Sequence, residues 1–314
     1  MGQNAICISP ADTALITPEQ ACLTDDSREI LRFALEALTA GMGAALVTLV
    51  AIRGGASRSL GAQMAVREDG LYCGFVSGGC VEAAAAHEAM AVIASGQDRE
   101  VRYGEGSPYF DIVLPCGGGI TLSIHRLHAA QPLLAVLNQL EQRQPAGLRY
   151  SPQSQTLQII TSPSKTGWHD HAFDTVYRPV VRVIVLGRSI EAHMTATLAQ
   201  AVGYDVHTCT DFDTDRDRMI DADTAVLLLW HDLHRELPVL QAALRSRPFY
   251  IGAMGSHRTH GQRSQSLRER GWSESDIARI KAPIGIFPKA RDARSLALSV
   301  LADVAAARLQ TGEP

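Results

Sequence analysis

The sequence predicts an α/β protein: an N-terminal α+β domain followed by a Rossmann-like domain on a parallel sheet. Three observations predict this. From Val180 onward, apolar strand-like runs alternate with helical stretches, the pattern of βαβ units. Before that point, short runs rich in Val, Leu and Ile are separated by Gly-rich turns without such alternation. The chain has 314 residues, which at roughly 150 residues per domain suggests about two domains. The expected boundaries are 1–130 for the first domain, 131–178 for a linker and 179–314 for the Rossmann-like domain.

Each element has a local reason. Asp26 caps a helix, with Glu29 reaching back as in a capping box. Ile30, Leu31, Ala34, Leu35 and Leu38 form its apolar face, and Gly41 stops it. Ala44–Arg53 reads as a buried strand, and Gly54–Gly61 has loop chemistry. Met64–Arg67 and Leu71–Val76 flank Asp69-Gly70, a hairpin signal. An Ala-rich helix is expected from about Val81 to Ser95, closed by Gly96. Asp111–Leu114 and Ile120–His125 read as strands, joined by Pro115–Gly119. Leu133–Gln142 reads as a helix, Pro152–Gln155 as a hairpin turn and the polar stretch Ser162–His171 as linker. In the second half, Val180–Gly187, Tyr204–Thr210, Thr224–Trp230 and Phe249–Gly252 read as strands. Ile190–Val202, Leu237–Arg245, Thr259–Arg270 and Ala293–Leu309 read as helices.

Composition narrows the function classes. Hydrophobic residues make up 46% and charged residues 20%, a globular balance. The formal net charge is -4, which leaves no basic excess for a phosphate backbone and argues against a nucleic-acid binder. The apolar run Gly41–Ile52 falls short of the roughly 18–20 residues that span a bilayer, so no membrane partner is expected. The first basic residue is Arg28, so no signal-peptide start is expected either. The six cysteines form no CxxC pair and are too sparse for a disulfide scaffold. The expectation is a cytoplasmic protein with free thiols.

Two Gly-flanked cysteines carry the most chemistry. Cys80 follows Ser77-Gly78-Gly79 where a strand turns into a helix, and the unpaired N–H groups of a helix start stabilise a thiolate. The glycines let backbone amides approach a ligand. Cys116 stands in a second such turn, before Gly117 and Gly118. Thiolates are soft donors, so Cys80 and Cys116 are candidate metal ligands; small buried packing residues are the alternative. Arg53–Gly61 is a further anion-friendly loop with Arg58 as charge donor, and it is not a Walker A loop. Gly255-Ser256-His257-Arg258, with Arg263, reads as a phosphate loop or as a basic helix face. The pairs His169/His171 and His231/His234 read as surface histidines, and no H-E-x-x-H or G-x-S-x-G motif is present.

The Rossmann turn departs from the G-x-G-x-x-G/A fingerprint. Gly187 and Ala192 occupy the first and third positions, and Ser189 replaces the second glycine. A Cβ there crowds a pyrophosphate. Asp211 stands near the usual ribose-binding acid, roughly 20 residues past the turn. Altered nucleotide binding through Gly187, Ser189 and Asp211 is the expectation, and an NAD(P)-dependent oxidoreductase is the alternative function.

Taken together, several runs resemble the XdhC/CoxI family. They are Thr48-Leu49-Val50, Gly61–Gly70 including Gln63, Gly74–Glu82 with its SGGC motif, and Leu114–Gly118 with its PCGG motif. Ile251–Ser256, Arg279-Ile280 and Ala282–Gly285 resemble that family's Rossmann half. The resemblance implies a maturation factor without turnover. Such a factor binds the molybdenum cofactor, as molybdopterin or its cytosine dinucleotide, and shields it during sulfuration by a cysteine desulfurase. It then delivers the cofactor to the apoenzyme of a molybdenum hydroxylase, of the xanthine dehydrogenase or aldehyde oxidoreductase type. The implied partners are that apoenzyme, the desulfurase, a cofactor biosynthesis enzyme and a second copy in a homodimer. The implied cofactor site comprises Arg58, Gln63, Ser77, Gly78, Gly79, Cys80, Cys116, Gly117 and Gly118.

Overall fold

The structure is a computed structural model that describes residues 16–105, 107, 117–210, 218–230, 232–287 and 290–311. The chain divides into two compact units: Met1–Gln139 with Pro145–Tyr177, and Leu140–Gln144 with Arg178–Glu313. Among the described residues, no helix is long and apolar enough to cross a membrane.

The first unit holds a six-stranded sheet ordered β1-β4-β3-β2-β6-β5. Its strands are β1 (Glu19–Cys22), β2 (Ala44–Arg53), β3 (Gln63–Arg67), β4 (Leu71–Gly74), β5 (Arg99–Gly104) and β6 (Gly119–Arg126). All neighbours are antiparallel except β1 and β4, which run parallel. Helix α1 (Ser27–Thr39) starts at Asp26, whose carboxylate accepts the Arg28 amide rather than that of Glu29. Helix α2 (Glu82–Ser95) lays Ala85, Ala86, Ala89, Val92 and Ile93 on Val47, Leu49, Val66 and Leu122 of the sheet. The alanines let the helix approach closely. Gly96 ends it in the left-handed conformation, at φ 73°.

Residues 131–178, expected as a linker, are folded. They form α3 (Gln131–Glu141) and a four-stranded antiparallel sheet ordered β8-β7-β10-β9. The strands are β7 (Ala146–Ser151), β8 (Thr156–Ile160), β9 (Gly167–His169) and β10 (Ala172–Tyr177). Leu148, Phe173 and Tyr177 are buried on this sheet. The expected hairpin turns at Gln155, which takes a positive φ of 52°. Within the same unit Asp98 is buried beside His125 and Tyr150. Its carboxylate lies 2.6 Å from His125 Nδ1 and accepts the Tyr150 hydroxyl at 2.8 Å.

The second unit is the expected Rossmann-like domain. Five parallel strands run in the order β12-β11-β13-β14-β15. They are β11 (Arg182–Leu186), β12 (Asp205–Cys209), β13 (Thr224–Leu228), β14 (Tyr250–Ala253) and β15 (Ile280–Lys281). Side chains alternate between two cores. Ile184, Leu186, Val226 and Leu228 face α5 (Leu233–Ser246) and α6 (His257–Arg268), and α7 (Glu274–Ile277) follows α6. Val183, Val185, Ala225 and Leu227 face α4 (Ile190–Ala201) and α8 (Ala293–Gln310). The expected strand Asp111–Leu114 lies outside the described residues.

Candidate functional site

Strand direction brings three glycine-rich loops to one end of the six-stranded sheet. β2 runs antiparallel to β3 and to β6, and β3 runs antiparallel to β4. The C-terminal ends of β2 and β4 therefore share an edge with the N-terminal ends of β3 and β6. The loops there are 54–62, 75–81 and the turn through Gly117 and Gly118. They touch. A Cβ on Gly118 would lie 2.2 Å from the Gly55 carbonyl oxygen and 2.5 Å from that of Arg53, so only glycine fits this crossing. A Cβ on Gly78 would meet Ser57 Oγ at 3.3 Å.

The Ser77–Cys80 turn is shaped by a buried carboxylate. Glu82, the first residue of α2, is 2% exposed. It accepts the amides of Val76 at 3.1 Å, Ser77 at 2.7 Å and Val81 at 3.1 Å. The Ser77 hydroxyl donates to it, lying 2.8 and 3.0 Å from its two oxygens, and accepts the Cys80 amide at 3.1 Å. A buried carboxylate survives in a core only when so many donors replace water. Burial, and then the charge on Glu82, push the nearby Tyr72 hydroxyl up from its ordinary range. In the sequence Glu82 is only the last residue of the Gly74–Glu82 run, two positions past the SGGC motif. Its signal was an acid in a first helical turn, which ordinarily reads as a dipole partner.

With its inner side so fixed, the turn presents Gly78, Gly79 and Cys80 outward. All three are exposed, and the Cys80 thiol is free. Gly79, at φ 100°, and Gly117, at φ 68°, have nothing within 4 Å of an added Cβ, so bare peptide faces open space at both. Arg58 flanks them. Its Nε donates to the Ser77 carbonyl at 3.3 Å, its NH1 pairs with Asp25 at 2.7 Å, and its guanidinium sits 5.4 Å from the Phe75 ring centre. Among the described residues the edge thus offers peptide amides, the Arg58 guanidinium and the Cys80 thiol, a set suited to an anionic ligand with a thiophilic centre.

The remaining candidates sit elsewhere or lie outside the described residues. Cys116 and Asp211 are among the undescribed residues. Gln63 is 5% exposed on β3; its amide donates to Thr48 and accepts the Tyr177 hydroxyl at 2.6 Å, so it braces the interior behind the loops. Gly187 is needed for packing, since a Cβ would meet the Leu229 carbonyl oxygen at 2.8 Å and Ala192 Cβ at 2.9 Å. Ser189 caps α4 and accepts the Ala192 amide, so its own hydroxyl occupies a donor that a phosphate would use. Arg263 is not a surface phosphate grip. It is 0% exposed and pairs with buried Glu236 at 2.7 Å, while Arg258 is exposed. Among the described residues, no group of three or more His, Cys, Asp and Glu side chains is placed to hold a metal ion.

The expectation of free thiols is corrected at one pair. Cys22 and Cys73 form a disulfide across β1 and β4, with their Cα atoms 5.3 Å apart. The parallel register sets them opposite each other, although 51 residues separate them in sequence. Cys209 is buried.

Comparison with known proteins agrees with this architecture. Residues 37–104 match the XdhC and CoxI family, and residues 183–304 match the XdhC Rossmann domain. The molybdenum cofactor insertion chaperone PaoD of Escherichia coli K12 is 64% identical over 296 residues, covering 94% of this chain and 93% of PaoD. The uncharacterized protein YqeB of the same organism is 25% identical over 264 residues, covering 83% of this chain and 42% of YqeB. A solved structure described as a xanthine dehydrogenase from Bacillus halodurans superposes with a TM-score of 0.71 at 20% identity, covering 92% of this chain and 97% of that one, and shares the fold. This chain belongs to the XdhC and CoxI family.

Proposed function

We propose that the chain is a molybdenum cofactor chaperone that takes up the cofactor as cargo where the three glycine loops meet. It then delivers the cofactor to an apoenzyme of the xanthine dehydrogenase or aldehyde oxidoreductase type. The observation that carries this reading is the free, exposed Cys80 thiol in a turn of bare peptide beside Arg58. The 64% identity to a protein named as a molybdenum cofactor insertion chaperone supports it.

Each part of the cargo has a matching group. The cofactor presents a phosphate, a polar pterin and a molybdenum bound by sulfur. The amides of Gly78, Gly79 and Gly117 and the Arg58 guanidinium suit the phosphate and pterin. Cys80 suits the metal, with Cys116, the sequence neighbour of Gly117, as its partner. Glu82 holds the turn in shape, so amides and thiol are oriented before the cargo arrives. Few contacts hold the cargo, all at an exposed edge, which suits a carrier that must let go. The partners in this reading are the apoenzyme, the enzyme that makes the cofactor, a cysteine desulfurase that adds sulfur while the cofactor is held, and a second copy of the chain.

The test is transfer. The chain loaded with molybdenum cofactor is mixed with a cofactor-free molybdenum hydroxylase, and activity is followed. The expected result is activity that rises with cofactor loaded and stops at that amount. Recovery no better than with free cofactor would overturn the reading.

A further inference from the structure

We propose that the Cys22–Cys73 disulfide is a redox latch on the Ser77–Cys80 turn, acting through Asp25 and Arg58. The chain of contacts is short. Cys73 is fully buried in β4, the strand that runs directly into the turn. Its partner Cys22 ends β1, an edge strand whose side chains are exposed or half-buried. Asp25 follows three residues later and pairs with Arg58 at 2.7 Å, and Arg58 donates to the Ser77 carbonyl.

The Asp25 side chain is 70% exposed. Such a pair is worth little by itself, because two long side chains must be held in place against water. Here the backbone is cross-linked to the sheet three residues upstream and enters α1 at Asp26 on the other side, and the cross-link lowers the cost of ordering the pair. Without the cross-link, β1 keeps its parallel pairing with β4, the Glu19 amide bond to the Gly70 carbonyl and little buried apolar surface. A strand of this kind frays locally at low cost. Asp25 then leaves Arg58, and the carbonyl side of the turn loses its brace.

The redox step balances as a thiol–disulfide exchange with a dithiol reductant. A thiolate of the reductant attacks the Cys22 sulfur, the half-buried member of the pair, and Cys73 leaves as thiolate. The second reductant thiol then displaces Cys22. The Cys22–Cys73 bond is broken, both sulfurs end as thiols, and the two electrons and two protons they gain come from the dithiol reductant, which ends as its own disulfide. A single cross-link among the described residues, in a unit whose Cys80 thiol is free, is not a scaffold framework. It fits a reversible bond. The use of the latch, loosening the turn for handover, rests on the proposed function; the coupling itself needs no cargo.

Amide hydrogen exchange of residues 75–82 in the cargo-free full chain tests the coupling, comparing the disulfide-intact protein with the same protein after dithiothreitol. The Cys80 and Val81 amides, now bonded to Ser77 and Glu82, are expected to exchange at least about threefold faster after reduction. Residues 120–124 of β6, buried in the core of the same unit, serve as the control for general unfolding and are expected to be unchanged. Asp25→Asn is expected to give the fast rate before reduction and no further gain after it. Equal rates in both redox states, or an Asp25→Asn protein that still responds fully to dithiothreitol, would overturn the latch. Neither outcome bears on whether the turn carries a cofactor.

Discussion

The Ser77 hydroxyl and the Glu82 carboxylate are locked together inside the first unit, 2.8 Å apart at their closest atoms, and this pair sets which way the Ser77–Cys80 turn faces. The hydroxyl has one proton to give and gives it to Glu82, so its lone pairs point at the Cys80 amide. The polar interior of the turn is thereby satisfied from within, and the outer edge of Gly78, Gly79 and Cys80 is left to a ligand.

Replacing Glu82 tests that division directly. Glu82→Gln puts an NH2 group against amides that need an acceptor, which leaves buried donors unpaired and costs about 2–3 kcal/mol. Urea unfolding would show the loss as a lower midpoint with unchanged slope. Cofactor capture is expected to fall with it, because the amides of the turn are no longer held outward.

The crossing of Gly118 over Gly55 gives a second prediction. Gly118→Ala drives a Cβ onto two backbone oxygens that cannot move aside, and a loss of more than about 2 kcal/mol is expected. Gly117→Ala meets open space and bears only the cost of its left-handed backbone, about 1 kcal/mol. Thermal melts of the two variants should rank in that order.

Asp98 sets an acid limit. Burial alone would raise its carboxyl, but the bonds from His125, the Arg126 amide and Tyr150 outweigh burial and hold it below the usual range. A lowered folded value means that the stabilisation is fully present above the unfolded value of about 3.9, and is lost as pH falls through the folded value. Stability is therefore expected to drop below about pH 4. An Asp98→Asn variant should be weaker at neutral pH and lack that part of the acid slope, as read from urea midpoints across pH.

In the Rossmann-like unit, Arg263 and Glu236 form an ion pair with side chains 0% and 2% exposed. Arg263→Met strands a buried carboxylate and is expected to cost about 3–5 kcal/mol. The double change Arg263→Met/Glu236→Leu removes both charges and should recover much of the loss. A double variant no better than the single one would show that Arg263 serves chiefly through its bond to the Met254 carbonyl.

Much of this architecture was readable from residue order, for physical reasons. The strand expected at Ala44–Arg53 forms over those residues because it is buried on both faces and its apolar run is continuous. β11, β13 and β14 are legible for the same reason; β12 is only partly buried, and the two-residue β15 is not legible. The sheet of 146–177 was not: β8 is largely exposed, β9 is three residues long, and Ser and Pro punctuate both. β1 was missed because its side chains bury little, and with it the Cys22–Cys73 pairing, which exists only through the β1–β4 register. At the site, the glycines and Cys80 announced themselves by motif. Gln63 carried the same motif signal and is a brace, because sequence cannot tell which face of β3 a side chain occupies until the register is known.

Capture of the molybdenum cofactor at this edge of the sheet is read from retained metal. The purified chain is incubated anaerobically with the cofactor and desalted, and molybdenum is counted per chain alongside a Cys80→Ala/Cys116→Ala variant. Near-stoichiometric molybdenum is expected on the native chain and little on the variant. A native chain that emerges without molybdenum, or a variant that keeps all of it, would rule out capture through these thiols.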